Sequence, residues 1–267
     1  MLTDKRPYLV MGLLSRQSIA FAIGEAIRAH GGRVVYSVQS PVLKQRYLDK
    51  DFGPDAAQTL DLRYCDASRE AEVRALFQEL GPVAGVVHSL AYANPRTCLG
   101  PEFHTDAQED ILRSYEVSCV SLALVARYAA SAMPAGGAVT ALSFDAARAY
   151  AGYNWMGVHK AALEALVRAL ARRHGRDGIR VNAVSAGPLQ TAAAGKIPGF
   201  DRLIAHWQAY SPLPWDPVAD KAAVADAVVF LCSDMARRVT GHILAVDGGA
   251  SIAGTALEPH ERLSGPR

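Results

Sequence analysis

Short apolar runs alternate with longer periodic stretches along this 267-residue chain. Tyr8-Leu9-Val10-Met11 is one such run, closed by Gly12. Ile19, Ile23 and Ile27 then recur every fourth residue, with Ala22 and Ala26 beside them, the spacing of one apolar helical face. Gly31-Gly32 is predicted to end that helix, and Val34 to Val38 supplies the next strand. Further strands are predicted over 57–62, 83–88, 137–143, 178–184 and 242–247, and helices over 68–80, 107–133, 153–175 and 217–233. The last helix is predicted to start at Asp216 as N-cap with Pro217 in its first turn, burying Val224, Val228 and Leu231. Continuous apolar strands between amphipathic helices predict a parallel sheet covered on both faces. With right-handed crossovers this is an α/β fold, a Rossmann-type doubly wound sheet of about seven strands. No repeat or linker interrupts the pattern, so one domain is expected over 1–254, followed by a polar tail, 255–267.

Composition narrows the function classes. The net charge is +2, from 28 basic and 26 acidic residues, which speaks against nucleic-acid or membrane-surface binding. No apolar stretch approaches the roughly 20 residues that span a bilayer. Lys5 and Arg6 before the run from Tyr8 to Leu14 superficially suggest a leader, but Arg16 follows closely and a buried first strand explains the run better. Cys65, Cys98, Cys119 and Cys232 form no Cys-x-x-Cys pair and lie at no metal-ligand spacing, so no metal is expected and the compartment is read as cytoplasmic.

Candidate chemistry gathers at the predicted strand ends. Gly12 follows the first strand, and Ser18-Ile19-Ala20 opens the first helix, where free N–H groups favour an anion. Gln39 ends the second strand where an acid usually holds a ribose; being neutral, it favours NADH over NADPH, although Lys44 and Arg46 lie close enough to reach a 2′-phosphate. Asp66-Ala67 follows the third strand, as adenine acceptor, helix cap or both. His88-Ser89-Leu90-Ala91 follows the fourth. Tyr153 and Lys160 stand seven apart, about two helical turns and nearly one face, whereas Met156 occupies the position four before the lysine.

These motifs together resemble bacterial enoyl-acyl-carrier-protein reductases of the short-chain dehydrogenase/reductase superfamily. The likeness rests on Gly12…Ser18-Ile19-Ala20, His88-Ser89-Leu90-Ala91, Tyr153…Lys160, Ser185-Ala186-Gly187-Pro188-Leu189-Gln190-Thr191 and Val246-Asp247-Gly248-Gly249, in order from about residue 7 to 253. The string around Phe144 and Tyr153 is most similar to the mycobacterial branch. The resemblance implies NADH-dependent reduction of a trans-2-enoyl thioester carried by acyl-carrier protein or coenzyme A, in a homotetramer. It implies that Tyr153 hydrogen-bonds the thioester oxygen, Lys160 fixes the nicotinamide ribose, Thr191 binds the pyrophosphate and the Leu189 backbone holds the carboxamide. It places the substrate against Tyr92, Phe144, Met156, Ala193, Ile197, Phe200 and Leu203, with Pro198-Gly199 in a segment able to open. Ala91 stands where the family has glycine, and Met11 and Tyr92 are further departures. Rivals remain: a specialised enoyl or enone reductase of secondary metabolism, which the departures at Met11, Ala91 and Tyr92 favour; a ketone reductase, against which Met156 speaks; and a dinucleotide sensor without turnover, against which the retained Tyr153 and Lys160 speak.

Overall fold

A computed structural model describes residue 2, residues 4–105 and residues 107–253; the predicted tail lies outside the described residues. Seven parallel strands form one sheet in the order β3-β2-β1-β4-β5-β6-β7. They are β1 (Tyr8–Met11), β2 (Val34–Val38), β3 (Leu62–Tyr64), β4 (Gly85–His88), β5 (Gly137–Ser143), β6 (Ile179–Ala186) and β7 (Ile243–Val246). The helices are α1 (Ile19–Ala29), α2 (Pro41–Leu43), α3 (Asp49–Phe52), α4 (Ala56–Thr59), α5 (Glu70–Leu80), α6 (Gln108–Tyr115), α7 (Ser121–Ser131), α8 (Asn154–His174), α9 (Phe200–Tyr210) and α10 (Lys221–Cys232). None of the described helices is long and apolar enough to cross a membrane.

Strand alternation sends neighbouring residues into two cores. Tyr8 and Val10 of β1 join Ala138, Leu142 and Val184 against α1 and α10. Leu9 and Met11 join Val139, Ala141 and Val181 against α5, α7 and α8. Both faces of β1 are therefore dry, as its unbroken apolar run requires.

Three boundaries depart from expectation. The strand predicted over 57–62 is instead α4 followed by β3, joined through Asp61 at φ 49°. A short stretch with only Ala57, Leu60 and Leu62 apolar suits either state, and only Leu62, Arg63 and Tyr64 pair with β2. The helix predicted over 107–133 is α6 and α7 joined through a π-turn, Glu116–Val120. Asp216 does not cap the last helix. Its Oδ1 accepts from the N–H groups of Val218 and Ala219, so it closes a preceding turn, and α10 starts at Lys221.

Candidate active site

The chain reverses direction across the sheet between β1 and β4, the place where doubly wound sheets bind ligands. Gly12 ends β1 with φ 93°, and its N–H and that of Leu13 donate to Ser37 O at 3.0 and 3.1 Å. A Cβ at Gly12 would drive into the Ser89 carbonyl, so the loops after β1 and β4 touch only because residue 12 is glycine. Ser18 caps α1, accepting from Phe21 N–H at 3.4 Å. The Ser15 hydroxyl in the same loop is buried without a partner. An orphan hydroxyl beside the open first turn of α1, over a glycine cradle, fits a dinucleotide pyrophosphate.

At the adenosine end Gln39 Nε2 donates to Asp66 Oδ2 at 2.8 Å. Asp66 also accepts from the N–H and hydroxyl of Ser68 and pairs with Arg113 at 3.3 Å. Burial alone would raise this carboxyl, but the hydrogen bonds from Ser68 and Gln39 and the Arg113 charge outweigh it and hold its pKa below the usual value. Asp66 thus caps the turn before α5 rather than the helix, and Ala67 beside it is buried. Lys44 is tied to Asp49 and to Pro54 O, both at 2.7 Å, and Arg46 lies over the Tyr47 ring.

At the other end Tyr153 immediately precedes α8. Asn154 adopts φ 43° and donates from Nδ2 to the carbonyls of Gly100 and Glu102, so a sharp, side-chain-locked turn fixes the tyrosine. Burial raises the Tyr153 pKa well above its ordinary value, keeping the phenol a proton-bearing donor. Lys160 is 5% exposed and donates to Leu142 O at 2.8 Å, which leaves two N–H groups for other acceptors. Burial lowers its pKa to about 8, despite opposing contributions from Cys119 and Glu164. Beneath it His88 is fully buried. Ser121 gives its hydroxyl proton to Val117 O, so His88 Nε2 must donate to Ser121 Oγ, leaving Nδ1 a bare acceptor without a partner. Burial, followed by the Lys160 charge, lowers the His88 pKa to about 3, so the ring is neutral.

The acyl-wall candidates divide. Phe144 packs edge-on against Tyr153, with ring centroids 4.9 Å apart, and also meets Tyr150 and Trp207. Leu203 packs on the same core, Met156 is buried below, and Tyr92 is 46% exposed above. Phe200 is buried and Ile197 half-buried, whereas Ala193 faces outward. Pro198 O lies where a Cβ of Gly152 would stand, so the segment before α9 rests directly on the tyrosine turn. Leu189 is buried in the core. Thr191 Oγ1 accepts from Ala194 N–H at 3.1 Å, at the start of the short turn Ala194–Lys196.

Residues 12–251 match the family model described as Enoyl-(Acyl carrier protein) reductase. The NADH-dependent enoyl-acyl-carrier-protein reductase FabI of Escherichia coli strain K12 is 35% identical over 257 residues, 94% of this chain and 96% of that one. The NADPH-named FabI of Staphylococcus aureus strain MRSA252 is 32% identical over 92% of this chain and 96% of its own. The chain belongs to the enoyl-acyl-carrier-protein reductase family. Among solved structures, the Bacillus cereus enoyl-acyl carrier protein reductase with NADP+ and indole naphthyridinone superposes with a TM-score of 0.85 at 33% identity, covering 94% of this chain and 98% of that one. The Aquifex aeolicus VF5 reductase gives 0.83 at 32% identity, covering 94% and 99%.

This enoyl-acyl-carrier-protein reductase family member carries site residues that sequence reasoning passed over. Trp207 was marked by a Phe200, Leu203, Trp207 stripe at helical spacing. Tyr150 is held to Asp145 Oδ2 at 2.6 Å, and only the folded turn shows that it faces Phe144. Ser114 and Ser118, four apart on a predicted helix, gave the one available hint of a polar helix face turned inward.

Proposed function

We propose that this chain reduces the trans-2 double bond of enoyl thioesters with NADH, in fatty-acid synthesis. The observation that carries the reading is the placement of Tyr153, a proton-bearing phenol on a locked turn, against Phe144 and immediately ahead of the helix that carries a buried Lys160. Bound NADH supplies the hydride. Tyr153 donates a hydrogen bond to the thioester oxygen and stabilises the enolate charge that develops there. Lys160 holds the nicotinamide ribose through the N–H groups that Leu142 O leaves free. Gly12, Ser18, Ile19 and Thr191 would hold the pyrophosphate. Gln39, Asp66 and Ala67 border the adenosine, Ser89, Leu90 and Ala91 line the cofactor's reacting end, and the Leu189 backbone meets the carboxamide. Tyr92, Phe144, Met156, Ile197, Phe200 and Leu203 enclose the acyl group, with Ala193 at the rim.

The neutral Gln39, the Asp66 carboxylate beside it and the engagement of Lys44 elsewhere all disfavour a 2′-phosphate and support NADH over NADPH. The carrier is acyl-carrier protein or coenzyme A. Leu112, Tyr115, Val120 and Val158 are apolar yet exposed on α6, the π-turn and α8, which supports burial of that face in a homotetramer. Four buried free thiols support a cytoplasmic setting.

The test is NADH oxidation at 340 nm with crotonyl and trans-2-decenoyl thioesters. Turnover is expected, with kcat falling about 100- to 1,000-fold in Tyr153→Phe, as for loss of one preorganised donor. Tight NADH binding with no turnover on either thioester would refute the reading and favour the sensor alternative.

A further inference from the structure

The loop after β4 is held by side chains, not by the sheet. Tyr92 N–H donates to Ser118 Oγ at 2.9 Å, and the Tyr92 carbonyl accepts from Ser118 Oγ at 3.0 Å and from Ser114 Oγ at 2.7 Å. Both serines are fully buried. Both also approach Met156 Sδ, at 3.6 and 3.8 Å, so the clamp sits on a residue assigned above to the acyl wall. The second partner of Ser114 is His159 Nδ1 at 3.0 Å. Ser114 has one proton, and the short contact to Tyr92 O takes it. His159 Nδ1 must then carry the hydrogen and donate to Ser114 Oγ. Burial, with the neighbouring Lys160 charge, lowers the His159 pKa to about 4, so the ring keeps this neutral form through the working range. The chain of bonds runs from α8, one residue before Lys160, through α6 to both backbone groups of one residue, Tyr92, whose ring is exposed.

We propose that Ser114, Ser118 and His159 are positioning residues that fix the Tyr92 backbone, and thereby set the Tyr92 side of the enoyl-thioester site. This rests on the reductase reading above. None of the three needs to touch substrate or cofactor. Their effect is to remove the freedom of a loop whose backbone has no strand partner at this point, so that the thioester meets a wall already in place.

The measurement is a KM-against-kcat split in Ser114→Ala, Ser118→Ala and His159→Ala, with the NADH dissociation constant from nicotinamide fluorescence and amide exchange at Tyr92 in the same proteins. The expected result is faster exchange at Tyr92 and a thioester KM raised about tenfold, the effect of roughly one lost hydrogen bond. NADH affinity and kcat should stay within about threefold, less than one such bond. His159→Asn places an amide donor near the position of Nδ1 and should recover most of the KM lost in His159→Ala. An unchanged KM in both serine variants would overturn the proposal, whatever the exchange shows. So would parallel losses in KM, kcat and NADH affinity without rescue by asparagine, which would mark a purely structural role. A wild-type enzyme that reduces neither crotonyl nor trans-2-decenoyl thioesters, on either carrier, would sink the reductase reading itself, and that result is visible before any variant is made.

Discussion

Lys160 owes its lowered pKa to its surroundings. A lysine sealed between α8 and β5 titrates near 8, so its ammonium is charged below that pH and neutral above it. The dinucleotide pyrophosphate is anionic, and NADH affinity is expected to weaken as the pH rises through about 8. Lys160→Met should bind more weakly and show no such step, read by fluorescence titration between pH 6.5 and 9.5. The two buried imidazoles act on stability instead. His88 takes up a proton only near pH 3 in the fold, against 6.5 for a free side chain, and His159 near 4. Between those limits the unfolded chain binds more protons than the folded one. Their contribution to stability is therefore complete above about 6.5 and is lost progressively as the pH falls through the folded values. Replacing His88 by Asn should flatten the acid limb of the melting temperature between pH 6.5 and 4, and an unaltered limb would contradict the assignment.

Among the elements, the turn after β1 and helix α9 carry the most specific demands. Gly12→Ala sets a side chain at φ 93° against the Ser89 carbonyl. The strain is expected to cost about 1–3 kcal/mol and to part the β1 and β4 loops. NADH affinity should suffer more than the melting temperature, as calorimetry and titration of one sample would show. Trp207 anchors α9: it is 1% exposed, packs on Phe144 and Tyr150, and donates to Asp247 O at 2.9 Å. Trp207→Ala should cost about 3–5 kcal/mol in denaturant unfolding. Elements with a strong period were legible from the chain itself. Tyr8–Met11, Val34–Val38 and the strand Gly137–Ser143 coincide with their expected bounds. The failures were local competitions that periodicity cannot decide. Ala56–Thr59 coils because only Leu62–Tyr64 finds a neighbour in β2, and Asp216 spends its carboxylate on a turn before α10.

For the whole molecule, the sequence disclosed which strand ends meet but not how side chains from distant segments join there. Gly12, Ser18, Tyr153 and Lys160 were readable because each belongs to a spaced motif. Asp66 was readable as an acceptor, yet its partners Gln39 and Arg113 lie 27 and 47 residues away. The Ser114–Tyr92–Ser118 clamp joins loop to helix across 22 and 26 residues and has no motif at all. The π-turn that carries part of this clamp also bears on how the chain can change length. Such a turn holds one residue more than the α-helical turn it replaces. Here Ser118 and Cys119 are consecutive and both buried. A helix that shed one residue between Glu116 and Val120 could close into ordinary α geometry with Gln108–Tyr115 and Ser121–Ser131 still facing inward. It would have one inward side chain fewer. Single-residue deletions there are expected to leave melting cooperative while thioester binding falls, a site where loss of length and loss of fold come apart.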